Sequence, residues 1–120
     1  MKALIVDDAA FMRAVMKRIL TGMGSFEELA EAGNGAEAIK TYTAIKPDLV
    51  TMDVTMPEMD GITALKKILE VDPQAKIIVC SAMGQKDIVL EAIKAGAKHF
   101  IVKPIDEEKV VTTVSAILHA

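Results

Sequence analysis

The length and composition of this chain exclude a disordered protein: 120 residues, 52% hydrophobic and 26% charged, allow a single domain over residues 1–120 with a substantial core. Its net charge of −3 and its scattered basic residues argue against a nucleic-acid-binding surface, which would need a basic cluster. The apolar runs are too short for a membrane span, and two acids follow Met1 too soon for a secretion signal, so we expect a cytoplasmic protein.

Short apolar runs and amphipathic segments alternate along the first part of the chain. Residues 2–7 form an apolar run that ends in acid, a pattern typical of a strand covered on both faces. From Ala9 the apolar residues recur at helical spacing, with basic residues on the other side, until Gly22 and Gly24 end the helix. Residues 26–32 contain Glu and Ala, which favour helices, but the alternation of elements around them predicts a strand.

The alternation continues to the end of the chain and predicts three further strands and four further helices. The strands are predicted at residues 48–53, 76–81 and 98–102. The helices are predicted at residues 36–46, 60–71 and 85–95 and from residue 106 onward. Five successive strand–helix units with short connections indicate an α/β fold, in which a parallel sheet carries helices on both faces.

Four of the predicted strands end in residues that carry chemistry. Asp7 and Asp8 end the first strand, Asp53 the third and Ser81 the fourth, and Lys103 follows the fifth. We predict a doubly wound five-stranded sheet of order 2-1-3-4-5, as in flavodoxin, where ligands bind beyond the carboxyl ends of the strands. In that order the first and third strands are neighbours, so the three acids meet at one edge, with the hydroxyl and the ammonium beside them.

Three carboxylates in one place repel one another and therefore need a cation or protons. At about 5 Å and an effective dielectric constant of about 20, each pair costs roughly 3 kcal/mol. Oxygen ligands from two loops, with room left for water and a phosphate oxygen, favour Mg²⁺. We interpret Asp53 as a nucleophile that accepts a phosphoryl group as an acyl phosphate. The metal and Lys103 would offset charge on the phosphoryl oxygens, and Ser81 could donate a hydrogen bond to one of them.

Each of these residues also has a simpler interpretation on its own. The adjacent acids Asp7 and Asp8 could cap a helix or face solvent in a loop, and Ser81 could cap the helix that follows it. A Lys-Pro pair such as Lys103 and Pro104 is common in ordinary turns. Their shared position at the carboxyl ends of strands, with none at the amino ends, favours a functional site.

Four motifs together resemble the receiver domain of two-component response regulators across essentially the whole chain. They are IVDD before a helix, the acid in MDVTMPEMDG, SAMG and FIVKP; the segments DDAAFMR and VCSAMGQ resemble the CheY-like chemotaxis regulators in particular. The resemblance implies that Asp53 is the phosphorylation site and that Asp8 and Asp53 are direct metal ligands. It also implies that Asp7 acts on the ion through water and that the backbone carbonyl of Thr55 is a further ligand.

The resemblance also identifies residues that pair with the phosphoryl group or respond to it. Lys103 would pair with that group, and its bond to Pro104 is expected to be cis, which would direct the lysine into the site. Ser81 stands where the family carries Ser or Thr and would move toward the phosphoryl group. Phe100 stands at the position of an aromatic residue that rotates inward behind it. Phe100 lacks the hydroxyl of the Tyr common there, and core packing is an alternative role for it.

A receiver of this kind is a switch rather than an enzyme, apart from accepting and losing its own phosphoryl group. It would accept that group from a phosphohistidine of a CheA-like sensor kinase. As a monomer it would then bind a partner protein, by resemblance the flagellar motor switch or a phosphatase.

Three other functions remain to be weighed against this one. Within the family, a phosphorelay intermediate would pass the phosphoryl group to a second histidine. A metal-dependent phosphohydrolase would use a similar nucleophilic Asp, but it commonly needs a second acid where Thr55 stands. A flavin or nucleotide module on the same fold would need a hydroxyl-rich or glycine-rich loop after the first strand, which this sequence lacks.

Overall fold

The computed structural model of the protein describes residues 1–54 and 61–119, which form alternating strands and helices. The strands are β1 (Lys2–Val6), β2 (Glu28–Ala32), β3 (Leu49–Asp53), β4 (Ile77–Ser81) and β5 (His99–Val102). The helices are α1 (Ala10–Gly22), α2 (Gly35–Ile45), α3 (Gly61–Val71), α4 (Lys86–Ala95) and α5 (Glu107–Leu118). Within the described residues, none of these helices is both long and apolar enough to cross a lipid bilayer.

The strands of the described chain form one parallel sheet in the order β2-β1-β3-β4-β5, which confirms the predicted doubly wound α/β fold. Val6 pairs with Met52 between β1 and β3, and Asp53 pairs with Cys80 between β3 and β4. Because β1 and β3 end side by side, the residues at and after their carboxyl ends lie on the same edge of the sheet.

The sheet is buried on both faces by alternate side chains of its strands. In β1, Leu4 and Val6 pack into a core with α2, α3 and α4, whereas Ala3 and Ile5 pack into a second core with α1 and α5. Successive residues of a strand point to opposite faces, so a strand buried on both faces must be apolar at consecutive positions. This requirement explains the uninterrupted apolar runs of the sequence.

The edge strand β2 differs most from its prediction, since it begins at Glu28 rather than at residue 26. Its partner β1 begins at Lys2, which lies opposite Glu28, and a backbone hydrogen bond from the Glu27 N–H to the Met1 carbonyl at 2.9 Å precedes that first pair. Glu28 and Glu31 are exposed, as charged residues commonly are in a strand with a neighbour on one side only. The Glu residues that favoured a helix in the sequence are therefore explained by the position of β2 at the edge of the sheet.

Two helices begin at side chains that cap their first backbone N–H groups. Asn34 accepts a hydrogen bond from the Glu37 N–H at 2.9 Å at the start of α2. Asp106 accepts one from the Glu108 N–H at 3.1 Å at the start of α5. Such caps satisfy donors that the first turn of a helix leaves unpaired, so these residues fix where α2 and α5 begin.

Candidate functional site

Three aspartates from the ends of β1 and β3 converge at one edge of the sheet. Asp7 and Asp8 follow β1, and Asp53 is the last residue of β3. Each offers a carboxylate oxygen, and these oxygens lie within 4.8 Å of one another. Asp7 and Asp53 are 7% and 4% exposed, whereas Asp8 is exposed to solvent. The acid cluster formed by these three residues is therefore accessible from the side of Asp8.

An ammonium group lies against two of these carboxylates. Lys103 Nζ is 3.4 Å from Asp7 Oδ2 and 3.6 Å from Asp53 Oδ1. The backbone N–H of Lys103 donates to the Ser81 carbonyl at 2.7 Å, and the Lys103–Pro104 peptide bond is cis. Partial burial alone would lower the pKa of Lys103, but the carboxylates of Asp53 and Asp7 outweigh it and hold that pKa above its usual value. The lysine is therefore charged at neutral pH and offsets part of the acid cluster.

The backbone and side chain of Asp7 are both held by hydrogen bonds. Its N–H donates to the Ala32 carbonyl at 3.1 Å, which extends the pairing of β1 with β2 by one residue. Its Oδ1 accepts from the Ala9 N–H at 3.0 Å, and its backbone carbonyl accepts from Arg13 Nη1 at 2.7 Å. The sequence pattern placed Arg13 on the polar side of α1 and missed this contact. The signal for it is an Arg in the first turns of the helix that follows two acids.

Gly61 allows α3 to begin directly against the backbone of the strand that carries Asp53. A Cβ at this position would overlap the Asp53 carbonyl oxygen and lie 2.7 Å from Val54 Cα. The Gly61 N–H donates to the Val54 carbonyl at 3.4 Å. The sequence pattern placed this glycine only inside the helix predicted at residues 60–71, although the close approach requires a residue without a side chain.

Ser81 and Cys80 end β4, next to β3, and both are buried. Ser81 is 1% exposed, and none of the described residues gives its Oγ a hydrogen-bond partner. A buried hydroxyl left without a partner costs about 1–3 kcal/mol, so Ser81 would gain from an acceptor within its reach. Burial raises the pKa of the Cys80 thiol to about 12, against the opposing effect of Lys103. This thiol is therefore protonated and unreactive at neutral pH.

The predicted switch residue Phe100 does not belong to this group of acids and ammonium. Phe100 on β5 is 41% exposed and lines a surface groove of about 500 Å³ between β5 and α5. It is therefore not a core residue in this conformation. Thr55, whose backbone carbonyl was predicted as a metal ligand, lies outside the described residues.

Comparison with known proteins identifies the family to which this arrangement of residues belongs. The family model of the response regulator receiver domain matches residues 3–115. The chain belongs to this family. The matched segment of the receiver domain runs from β1 into α5 and contains every site residue described above.

Two chemotaxis proteins named CheY are similar to this receiver domain along nearly their whole lengths. The protein from Thermotoga maritima is 59% identical over 116 residues, which cover 97% of this chain and 96% of that protein. The protein from Bacillus subtilis is 58% identical over 118 residues, which cover 98% of each. A chain of the solved CheX-CheY-BeF3-Mg²⁺ complex from Borrelia burgdorferi is 40% identical, with a TM-score of 0.88 over 97% of this chain and 87% of that one. The protein is thus a CheY-like receiver, a class of signalling switches rather than of classical enzymes.

Proposed function

We propose that this receiver domain is a phosphorylation-controlled switch of a two-component system, in which Asp53 accepts a phosphoryl group from a phosphohistidine on a sensor kinase. The observation that carries the proposal is the convergence of three aspartates within 4.8 Å, with the Lys103 ammonium 3.6 Å from Asp53. The similarity to two CheY proteins supports a role in chemotaxis, with a CheA-like kinase as donor.

The donor set of the acid cluster fits Mg²⁺. Its three groups offer only carboxylate oxygens, which suit a hard divalent ion, and the exposed side leaves room for water and phosphate oxygens. Asp8 and Asp53 would bind the ion directly and Asp7 through water, while the Thr55 carbonyl stays a proposed ligand outside the described residues. When bound, the ion supplies positive charge that offsets the carboxylates and the phosphoryl oxygens.

The residues of the site have separate roles in the transfer. A carboxylate oxygen of Asp53 attacks phosphorus in line with the leaving nitrogen, so that a P–O bond forms as the P–N bond breaks and an acyl phosphate results. The Lys103 ammonium offsets charge on the equatorial oxygens of the moving group. The Ser81 hydroxyl, which lacks a partner among the described residues, donates to one of these oxygens.

The new charge at Asp53 then biases a two-state rearrangement of the neighbouring surface. The Ser81 hydroxyl gains an acceptor in the phosphorylated state, and Phe100, which is exposed in this structure, turns inward behind it. The inward turn of Phe100 changes the shape of the groove between β5 and α5. A partner protein, either a flagellar motor switch protein or a phosphatase, then binds this altered surface. The CheX-CheY complex of the Borrelia relative supports a regulatory partner of this kind.

Intact mass spectrometry after treatment with a small phosphodonor tests this function. With acetyl phosphate and Mg²⁺, we expect the chain to gain one phosphoryl group, because the nucleophile and the neutralising charges are then all present. With a chelator in place of Mg²⁺, we expect no measurable gain. The adduct should be released by hydroxylamine, as acyl phosphates are. A chain that gains no group, or an adduct that survives hydroxylamine, would contradict the proposal.

Replacing Asp8 with Ala is expected to stabilise the metal-free protein. Two unit charges about 5 Å apart repel by about 3 kcal/mol at an effective dielectric constant of about 20, and screening at the exposed Asp8 reduces the net effect to about 1 kcal/mol. Among the described residues, Lys103 forms its ion pairs with Asp7 and Asp53, so the substitution breaks neither of them. Denaturant unfolding in a chelator should show a free energy of unfolding raised by about this amount.

Glu70→Ala is the matched control, because it removes one negative charge from an exposed position of α3 outside the acid cluster. Addition of Mg²⁺ should reverse the order of stability between Asp8→Ala and the unaltered chain, since an ion that binds the native state stabilises it. The Glu70→Ala variant should respond to Mg²⁺ as the unaltered chain does. A reduced free energy of unfolding for Asp8→Ala in the chelator would show that repulsion at the cluster is not the dominant effect.

A further inference from the structure

Arg13 connects the loop after β1 to the edge strand β2. Its side chain projects from α1 and is 20% exposed. Nη1 donates to the backbone carbonyl of Asp7 at 2.7 Å, and Nε donates to Glu31 Oε1 at 3.1 Å. One planar guanidinium thus binds two groups on different elements through donors held in a fixed fork, a geometry that the compact ammonium of a Lys does not provide.

The carbonyl that Arg13 binds belongs to the peptide unit between Asp7 and Asp8. Because a peptide unit is planar, a hydrogen bond that fixes its carbonyl oxygen also fixes the rotation of the unit up to the Cα of Asp8. Ala32 and Ala9 bind the N–H and the carboxylate of Asp7, whereas the guanidinium binds the carbonyl of the following peptide unit. Asp8 is the exposed member of the acid cluster, so its side chain is directed by its backbone rather than by packing around it. The direction of the Asp8 carboxylate therefore depends on the peptide unit that Arg13 binds.

Glu31 makes the Arg13 contact compatible with a nearby cation. A guanidinium beside a bound cation would repel it, but the Glu31 carboxylate at 3.1 Å offsets the charge. Lys17, one turn later on α1, shares the same glutamate at 3.6 Å. Lys17 therefore resembles Arg13 in its charge, its helix and its acidic partner, but its ion pair is with Glu31 rather than with the loop after β1.

We propose that Arg13 is a positioning residue for the divalent cation: it holds the peptide unit before Asp8 so that the Asp8 carboxylate faces the acid cluster before the ion binds. This inference rests on the function proposed above. Mg²⁺ requires near-octahedral geometry, and a loop that must first be ordered binds it less tightly, because the cost of ordering opposes binding. Loss of a positive charge would by itself strengthen cation binding. A positioning role for Arg13 therefore predicts an effect of the opposite sign.

An NMR titration of the backbone amides with magnesium chloride tests the inference on Arg13→Met, with Lys17→Met as the matched control. We expect Arg13→Met to bind Mg²⁺ about tenfold more weakly than the unaltered chain, which corresponds to about 1.4 kcal/mol. Lys17→Met loses the same charge and should bind Mg²⁺ as tightly as the unaltered chain or more tightly. Arg13→Lys keeps the charge without the fork and should also bind more weakly.

Equal or tighter Mg²⁺ binding by Arg13→Met overturns the inference, and so does an equal loss of affinity in Arg13→Met and Lys17→Met. Thermal melting in a chelator establishes that each variant is folded. If Arg13→Met does not fold, Arg13→Lys decides the matter, and an unchanged affinity in that variant overturns the inference. If the unaltered chain itself binds no Mg²⁺, the proposed function fails and the inference with it.

Discussion

An Asp53→Asn variant is expected to take up no phosphoryl group from a small phosphodonor, where the unaltered chain takes up one. Asn has nearly the shape of Asp, so it fits the buried end of β3, but its amide lacks the nucleophilic carboxylate oxygen. The substitution also removes the charge that Lys103 contacts at 3.6 Å, while the 3.4 Å contact of Lys103 with Asp7 is kept. Intact mass after treatment with acetyl phosphate and Mg²⁺ measures the uptake.

Asp106→Asn provides the matched control for this loss. Asp106 is an aspartate that follows β5 and caps α5, and Asn accepts the same hydrogen bond from the Glu108 N–H. We therefore expect Asp106→Asn to keep its fold and to take up one phosphoryl group. If Asp53→Asn takes up as much as this control, the acceptor is a different residue and the function of the acid cluster must be rejected.

The fold could be predicted wherever burial leaves a pattern in the sequence. β4 is apolar along most of its length because helices cover both faces of the sheet. Short apolar runs that alternate with segments of helical periodicity indicate a parallel sheet. β2 carries acids such as Glu28 because it has a neighbour on one side only. Its first residue depends on the register with Lys2 in β1, and no local pattern in the sequence contains that information.

The acid cluster could be predicted from the order of the strands, because that order alone brings the ends of β1 and β3 together. Arg13 and Gly61 were missed for a different reason, since what each does depends on a contact with backbone atoms of another element. Arg13 binds a carbonyl of the preceding loop, and Gly61 lies where a Cβ would overlap the backbone of β3. A sequence records the identity of these two residues but not the approach of the backbone that gives them their roles.

The stability of the protein is expected to fall steeply above about pH 9 through the titration of Cys80. Burial raises the pKa of this thiol from its usual value of 9.0 to about 12 in the folded chain. The stabilising contribution is therefore complete below pH 9.0 and is lost as the pH rises toward about 12, because the unfolded chain releases a proton that the folded chain retains. Each pH unit in this window costs about 1.4 kcal/mol, which amounts to about 2–3 kcal/mol near pH 11.

Cys80→Ala isolates this contribution, although the cavity it leaves should make the variant less stable than the unaltered chain at neutral pH. Denaturant unfolding of both proteins near pH 8 and near pH 11 gives the difference in free energy of unfolding at each pH. Burial and the Asp72 carboxylate raise the pKa of Tyr42, and carboxylates raise that of Lys103, but both groups titrate in both proteins and largely cancel. The difference should shift in favour of Cys80→Ala by about 2–3 kcal/mol between the two pH values. If the difference in free energy of unfolding is the same at both pH values, the folded chain ionises the Cys80 thiol as readily as the unfolded chain does. A thiol buried in the core between β4 and α5 should not allow such ionisation.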